Sequence, residues 1–270
     1  MTNSQNRAAD FHNLHASGCF VIPNPWDVGS ARMLAAQGFQ ALATTSAGFA
    51  WSQGKADNRV KLPQLLDHFR AITASVEIPV NADFEGGFDI EPPGVFDNVT
   101  LAVETGIAGL SIEDSTGIEA SPLFGFDLSV DRMKAARKAI DESKTKVVLT
   151  GRSEGFIVGR PDLAETIRRL TAYADAGADC LYAPGIRDIE QVKTIVKELA
   201  PKPINILVNG NFFTVQQLAD VGVRRISVGG ALAKMAYTAL VNAAKEISEL
   251  GTFNPIAPAN PPISFDKMFA

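Results

Sequence analysis

The sequence predicts a single-domain (β/α)8 barrel of the α/β class, spanning residues 1–270. Three observations predict it: short apolar runs alternate with longer amphipathic stretches, a glycine-turn-strand signature recurs four times, and polar residues gather where the apolar runs end. The apolar runs are 19–23, 41–45, 79–84, 109–113, 147–152, 180–183, 204–209 and 225–229. Between them, stretches such as 63–76, 95–105, 130–142, 163–176 and 189–199 carry apolar residues every three to four positions, the spacing of one helix face. Strict alternation of strand and helix calls for a parallel sheet covered by helices. The recurring signature is Gly38-Phe-Gln-Ala-Leu42, Gly106-Ile-Ala-Gly-Leu110, Gly177-Ala-Asp-Cys-Leu181 and Gly222-Val-Arg-Arg-Ile226. Each glycine stands where a helix ends in the left-handed conformation, which penalises a Cβ. An open doubly wound sheet is the rival arrangement, but no Gly-x-Gly-x-x-Gly follows the first run, and polar strand ends recur around the whole set.

Composition narrows the function classes. With 46% hydrophobic and 20% charged residues, the chain can bury a core and need not be disordered. A net charge of −5 without a Lys/Arg cluster speaks against nucleic acid and anionic membrane as partners. The polar segment 1–15 has no apolar stretch of signal-peptide type and no run reaches membrane-spanning length, so the expected location is the cytoplasm. Cys19 and Cys180 stand apart from any Cys/His cluster and read as reduced core thiols, which disfavours zinc; His12, His15 and His68 are expected at the surface. The segment 252–270 is a proline-rich tail (Pro255, Pro258, Pro261, Pro262) ending in Phe265-Asp-Lys-Met-Phe269. It is expected either to fray or to dock by its aromatics on a neighbouring subunit.

In a barrel the chemistry sits at the C-terminal ends of the strands. The third run ends Asn81-Ala-Asp83-Phe-Glu85, and a period of two puts Asp83 and Glu85 on one side; the fourth ends Ser111-Ile-Glu113-Asp114. Asp57 follows the second run after a glycine-punctuated loop, 47–56. Carboxylates crowded in one mouth raise one another's pKa unless a cation neutralises them, and oxygen ligands suit Mg2+ or Mn2+. Asp83, Glu85 and Glu113 are therefore candidate metal ligands, while Asp114 and Ser115 could instead cap the next helix. Arg152, closing the fifth run, is placed either to pair a substrate carboxylate or to bridge to those acids. The small residues Ser46, Ala47 and Gly48 allow backbone N–H groups to approach an anionic oxygen, and Asn209 could hydrogen-bond the same ligand.

These residues, taken in order, resemble the isocitrate lyase/phosphoenolpyruvate mutase superfamily. The motifs that carry the resemblance are Asn24-Pro-Trp-Asp27, Thr45-Ser-Ala-Gly48, Asp83-Phe-Glu-Gly-Gly87, Ser111-Ile-Glu-Asp114, Gly151-Arg152 and Val208-Asn209. The resemblance implies a barrel whose C-terminal helix is exchanged between subunits of a homodimer or homotetramer. It also implies Mg2+ held by Asp83, Glu85 and Glu113, partly through waters. Arg152 takes a substrate carboxylate, the 46–48 backbone cradles the oxo-acid end, and Asp57 sits over the bound ligand. The implied chain is like a 2-methylisocitrate lyase but lacks the lid cysteine. The stretch 115–127, in which Gly117 and Gly125 can absorb a bend, reads as the lid and holds neither the Lys-Lys-Cys-Gly-His of the lyases nor the lysine of the phosphonate enzymes. Ala183-Pro184 also stands where the phosphonate enzymes carry a histidine. Glu85 replaces a usual Asp and Ala47 a usual glycine. Three functions follow as expectations: a Mg2+-dependent lyase or decarboxylase acting on a small oxaloacetate-like 2-oxo acid through a metal-bound enolate, with Asp57, Glu113 and Arg152 catalytic; a phosphonopyruvate-type mutase or hydrolase; or a barrel that binds an oxo acid or dicarboxylate without turnover.

Overall fold

The computed structural model describes residues 3–256 and 264–270; Pro258, Pro261 and Pro262 of the tail lie outside them. The chain runs α1 (Asn3–Ala16), β1 (Phe20–Ile22), α2 (Val28–Ala36), β2 (Leu42–Ala43), α3 (Ser46–Ser52), α4 (Leu62–Ser75), β3 (Val80–Asp83), α5 (Pro92–Val103), β4 (Gly109–Glu113), α6 (Phe126–Ser143), β5 (Val148–Arg152) and α7 (Leu163–Asp175). It continues with β6 (Cys180–Tyr182), α8 (Ile189–Glu198), β7 (Ile204–Leu207), α9 (Val215–Asp220), β8 (Arg225–Ser227) and α10 (Ala231–Leu250). A 3-10 turn, Asn254–Ile256, and α11 (Phe265–Phe269) follow. All strand pairs are parallel, in the order β1-β8-β7-β6-β5-β4-β3-β2. The remaining gap is bridged where the Ala43 N–H donates to the Pro23 carbonyl at 3.0 Å. The predicted (β/α)8 barrel is therefore present, with every predicted run containing a strand. The four signature glycines take φ between +83° and +104°, the left-handed helix ends their spacing required.

The wall helices bury the faces their periodicity marked. Leu65, Leu66, Phe69 and Ile72 of α4 are buried, as are Leu170 and Tyr173 of α7. Removal of such a side chain from water is worth about 1.5–3 kcal/mol. α10 behaves differently: of its twenty residues only Ala233 is buried, and Met235, Leu240, Val241 and Leu250 are exposed.

Three local expectations need correction. The polar N-terminus forms α1, which closes the lower end of the barrel with Phe11. His15 and His68 are consequently buried rather than at the surface. The His15 ring lies edge-on to Phe11 and Phe20, and His68 stacks on Phe49 at 3.9 Å. Burial first of all pulls the His15 pKa down to about 3 and that of His68 to about 4, so both rings are neutral. The 47–56 loop is mostly helical, because Thr45 caps α3. The tail's last aromatic docks on the chain's own α2, where Arg32 donates to the Phe269 carbonyl at 2.6 Å and lies 5.2 Å from its ring. Cys180 is a buried free thiol and Cys19 a half-buried one. Among the described residues no helix is long and apolar enough to cross a membrane.

Candidate active site at the barrel mouth

The strands deliver their polar residues inward as well as upward. A cavity of about 150 Å³ is lined at its rim by Ser46, Ala47, Asp57, Asp83 and Arg152, and deeper by Asn81, Ser111, Tyr182, Asn205 and Arg225. An outer chamber of about 430 Å³ also touches Asp57 and is lined by Glu85, Glu113, Ser115, Thr116 and Gly117. Six of the predicted site residues thus meet around two chambers next to each other at the mouth, and Ala47 joins them. Two do not. Gly48 sits behind the wall, where a Cβ would come within 2.9 Å of Trp26 and 3.1 Å of Ala233, so it serves packing. Asn209 is exposed and lines neither chamber, because β7 ends at Leu207 and the chain has already turned outward.

Arg152 is the electrostatic centre. Its Nη1 lies 3.2 Å from Asp83 and 3.1 Å from Glu113, and its Nε bonds to Glu154. Its guanidinium also lies 5.2 Å from the Tyr182 ring. Burial opposes its charge, but Glu113, Glu154 and Asp83 together outweigh that and hold it firmly protonated. One cation does not satisfy this many acids. Burial and then Asp83 and Asp57 push the Glu85 carboxyl up to about 8. Glu113 and Glu154 are raised chiefly by burial, with Arg152 pulling the other way. Asp57, although exposed by area, is raised by crowding against the protein and by Asp83. The mouth carries surplus negative charge on hard oxygen atoms, the donor chemistry of a Mg2+ or Mn2+ site. Among the described residues no three His, Cys, Asp or Glu side chains converge closely enough to hold a metal ion by themselves.

The surroundings fix this arrangement. Asp83 Oδ2 accepts from the Ser46 N–H at 2.9 Å, and the Asp83 N–H donates to Thr44 Oγ1 at 2.9 Å. The Gly48 N–H is used by the Thr45 cap, which leaves the Ala47 N–H, of the three predicted amides, without a protein partner among the described residues. Glu85 does not follow the period of two: β3 ends at Asp83, and Glu85 takes φ +47°, which turns it towards the outer chamber. Asp114 caps no helix. It is buried and accepts from Tyr173 Oη at 2.7 Å, the Glu154 N–H at 2.8 Å and Arg169 at 3.1 Å. Asn24 and Asp27 are likewise structural: the Asn24 amide oxygen accepts from the Val228 and Gly229 N–H groups at 2.9 and 2.8 Å, and Asp27 caps α2. The lid begins as a narrow loop, with Ser115 bridging Leu123 and Gly117 at φ +68°. Buried Arg132 pins its base to the loop between β3 and α5 by donating to the Gly86, Asp89 and Ile90 carbonyls beneath the Phe124 ring.

Sequence reasoning missed Glu154, Tyr182, Asn205 and Arg225. For Tyr182, Asn205 and Arg225 the signal was a polar residue within a short apolar run, although which face it took was not readable there; Glu154 lies two residues beyond β5.

Comparison with known proteins agrees with this geometry. An uncharacterized protein of Mycobacterium tuberculosis (strain H37Rv) is 32% identical over 244 residues, which cover 88% of this chain and 89% of that one. The oxaloacetate decarboxylase of Pseudomonas putida (strain GB-1) is 28% identical, covering 86% and 80%. A crystal structure provisionally described as a lyase/mutase from Burkholderia cenocepacia J2315 superposes with a TM-score of 0.94 at 42% identity, covering 99% and 98%. Oxaloacetate acetylhydrolase with its product oxalate superposes with a TM-score of 0.87 at 25% identity, covering 98% and 93%. The family profile of phosphoenolpyruvate phosphomutase matches residues 11–248. The chain belongs to that family, within the phosphoenolpyruvate mutase/isocitrate lyase superfamily of lyases and mutases.

Proposed function

We propose that the protein is a Mg2+-dependent lyase or decarboxylase that cleaves a carbon–carbon bond of a small oxaloacetate-like 2-oxo acid. The observation that carries this reading is the crowding of mouth carboxylates around Arg152, which pairs with three of them at once. Asp83, Glu85 and Glu113 would hold the ion together with waters, in keeping with the habit of Mg2+ of taking one or two carboxylates and retaining its hydration. Bound there, the ion supplies Lewis-acid stabilisation of negative charge on the oxo-acid oxygens. The chain does the rest. The Arg152 N–H groups not committed to acids bind a substrate carboxylate, and the Ala47 N–H offers a further donor. In decarboxylation the C3–C4 bond breaks, CO2 departs, and the enolate takes up one proton to give pyruvate. Asp57 lies over the entrance, and closure of the 115–127 lid would exclude water. The names of the relatives, oxaloacetate decarboxylase and oxaloacetate acetylhydrolase, favour this substrate class.

A panel of 2-oxo and 2-hydroxy acids, assayed with Mg2+ and with a chelator, tests the reading. Oxaloacetate should yield pyruvate and CO2 faster than with Mg2+ alone, whereas isocitrate and 2-methylisocitrate should not react. Phosphate release from phosphonopyruvate would instead favour the hydrolase reading, and its conversion to phosphoenolpyruvate the mutase reading, both of which the family profile keeps in play. Ligand-induced stabilisation without any product would mark a binding barrel.

A further inference from the structure

Below Arg152 the same cavity meets a second arginine in the opposite electrostatic situation. Arg225 opens β8, is 3% exposed, and points into the barrel. Its Nε donates to Asn205 Oδ1 at 3.0 Å, its Nη2 to Thr150 Oγ1 at 3.1 Å, and its Nη1 faces His15 Nε2 at 3.3 Å. Three of the five guanidinium N–H groups therefore have partners, and every partner is neutral. His15 carries no charge because burial, then Arg225 itself, disfavours the imidazolium. Among the described residues no carboxylate lies within ion-pair distance of Arg225, whereas Arg152 has three. A buried cation of fixed charge without a counter-ion is expensive, so such a site is built either with an anion or for one. The floor around it is a neutral polar ladder: Asn205 Nδ2 donates to Ser227 Oγ at 3.0 Å, and Ser227 Oγ donates to Tyr182 Oη at 3.4 Å, leading up to Arg152. The Asn81 amide oxygen, also lining the cavity, is buried without a partner; as an acceptor it would face a water or a hydroxyl there and not the anion.

We propose that the floor of the mouth cavity is an anion-binding site in which Arg225 is the recognising cation. The ligand is a carboxylate group or an inorganic anion of comparable size. If the occupant is a substrate carboxylate, the substrate is a dicarboxylate held between two arginines. That assignment rests on the proposed function, while the site itself does not. Arg152 is largely neutralised at the rim, so the unspent positive potential of the cavity lies at its floor.

Crystals of the full-length protein grown in sodium bromide test the site directly. An anomalous bromine peak is expected within hydrogen-bonding distance of the Arg225 guanidinium, and the same crystals of Arg225→Gln should lose it. Should that variant not fold, Arg225→Lys, which keeps the charge, should retain the peak. Succinate added with bromide separates the sources. A succinate carboxylate replacing the peak identifies a substrate-type occupant, and a peak persisting beneath bound succinate identifies a resident inorganic anion. Absence of any anion at Arg225 in the wild type, or a peak undiminished in Arg225→Gln, overturns the proposal. A bromide peak without oxaloacetate turnover would sink only the proposed function, and turnover without a peak would sink only this site.

Discussion

At the lower end of the barrel, Phe11, His15 and Phe20 pack edge to face against the small residues Ala41 and Ala108, while at the mouth Asp83, Glu85, Glu113 and Glu154 crowd around Arg152. The same eight strands supply both ends. Below, neutral rings fill the space under the isolated guanidinium of Arg225, and even histidine is stripped of its charge; above, carboxylates crowd Arg152 beyond what its one guanidinium can balance. The difference shows a division of labour: the lower end is spent on holding the barrel closed, and the mouth tolerates unfavourable electrostatics because a ligand is meant to relieve them.

The largest expected effect breaks the lower end. Phe11→Ala should cost about 3–5 kcal/mol in urea unfolding, because Phe11 is fully buried and touches the strand interior from a single helix. Molecules that remain folded should keep normal Mn2+ affinity. Asp83→Ala is the converse experiment: titration should show Mn2+ binding lost with unfolding nearly unchanged, since the half-buried Asp83 contributes little to the packed layers below. Unchanged metal affinity would reduce Asp83 to a partner of the Ser46 N–H and Arg152.

A third test concerns Arg152. Oxalate, whose two carboxylates mimic the planar enolate of pyruvate, should bind tightly with Mg2+, and Arg152→Lys should weaken it by about 1–3 kcal/mol, because an ammonium cannot reproduce a planar two-point contact. Calorimetry reads both. Equal oxalate affinity without metal would break the link between the acids and the ligand. A fourth concerns α10, whose exposed Met235, Leu240 and Val241 suit an exchanged helix. Light scattering should give a dimer or tetramer, and a clean monomer at micromolar concentration would remove the exchange.

Legibility of the sequence followed the same divide. Parallel strands buried on both faces stand out as short continuous apolar runs, and Gly109–Glu113 coincides with its run. Asp83, Glu113 and Arg152 were readable because they close such runs. α1 was not: its few apolar residues, Phe11 among them, gain meaning only when the barrel they plug exists. Arg225 was hidden for a related reason, since inward and outward positions of a three-residue strand cannot be told apart until its neighbours are known. Glu85 was found but misplaced, because a left-handed residue interrupts the alternation on which its orientation was inferred.

The smallest effect is a loss of stability with rising pH, opposite in sign to what the buried His15 contributes at the lower end. In the metal-free protein the Glu85 carboxyl, ordinarily near 4.5, is raised to about 8 by burial and by Asp83 and Asp57, with Arg152 opposing. A raised acid pKa means that the folded state binds this proton more tightly than the unfolded state. Stability from this group is therefore complete below the unfolded value and declines as pH rises through the interval up to about 8. Because Glu85 is only part-buried, solvent screens much of the penalty, and a loss on the order of 1 kcal/mol is expected rather than the full shift. Glu85→Gln should flatten that part of the slope in urea unfolding curves measured at several pH values, and should leave stability near pH 4 as it was. Mg2+ should flatten it as well in the wild type, by favouring the carboxylate and releasing the proton. A slope that persists unchanged in Glu85→Gln would assign the pH dependence to Glu113 and Glu154, deeper around Arg152, and a slope unaffected by Mg2+ would separate Glu85 from the metal site.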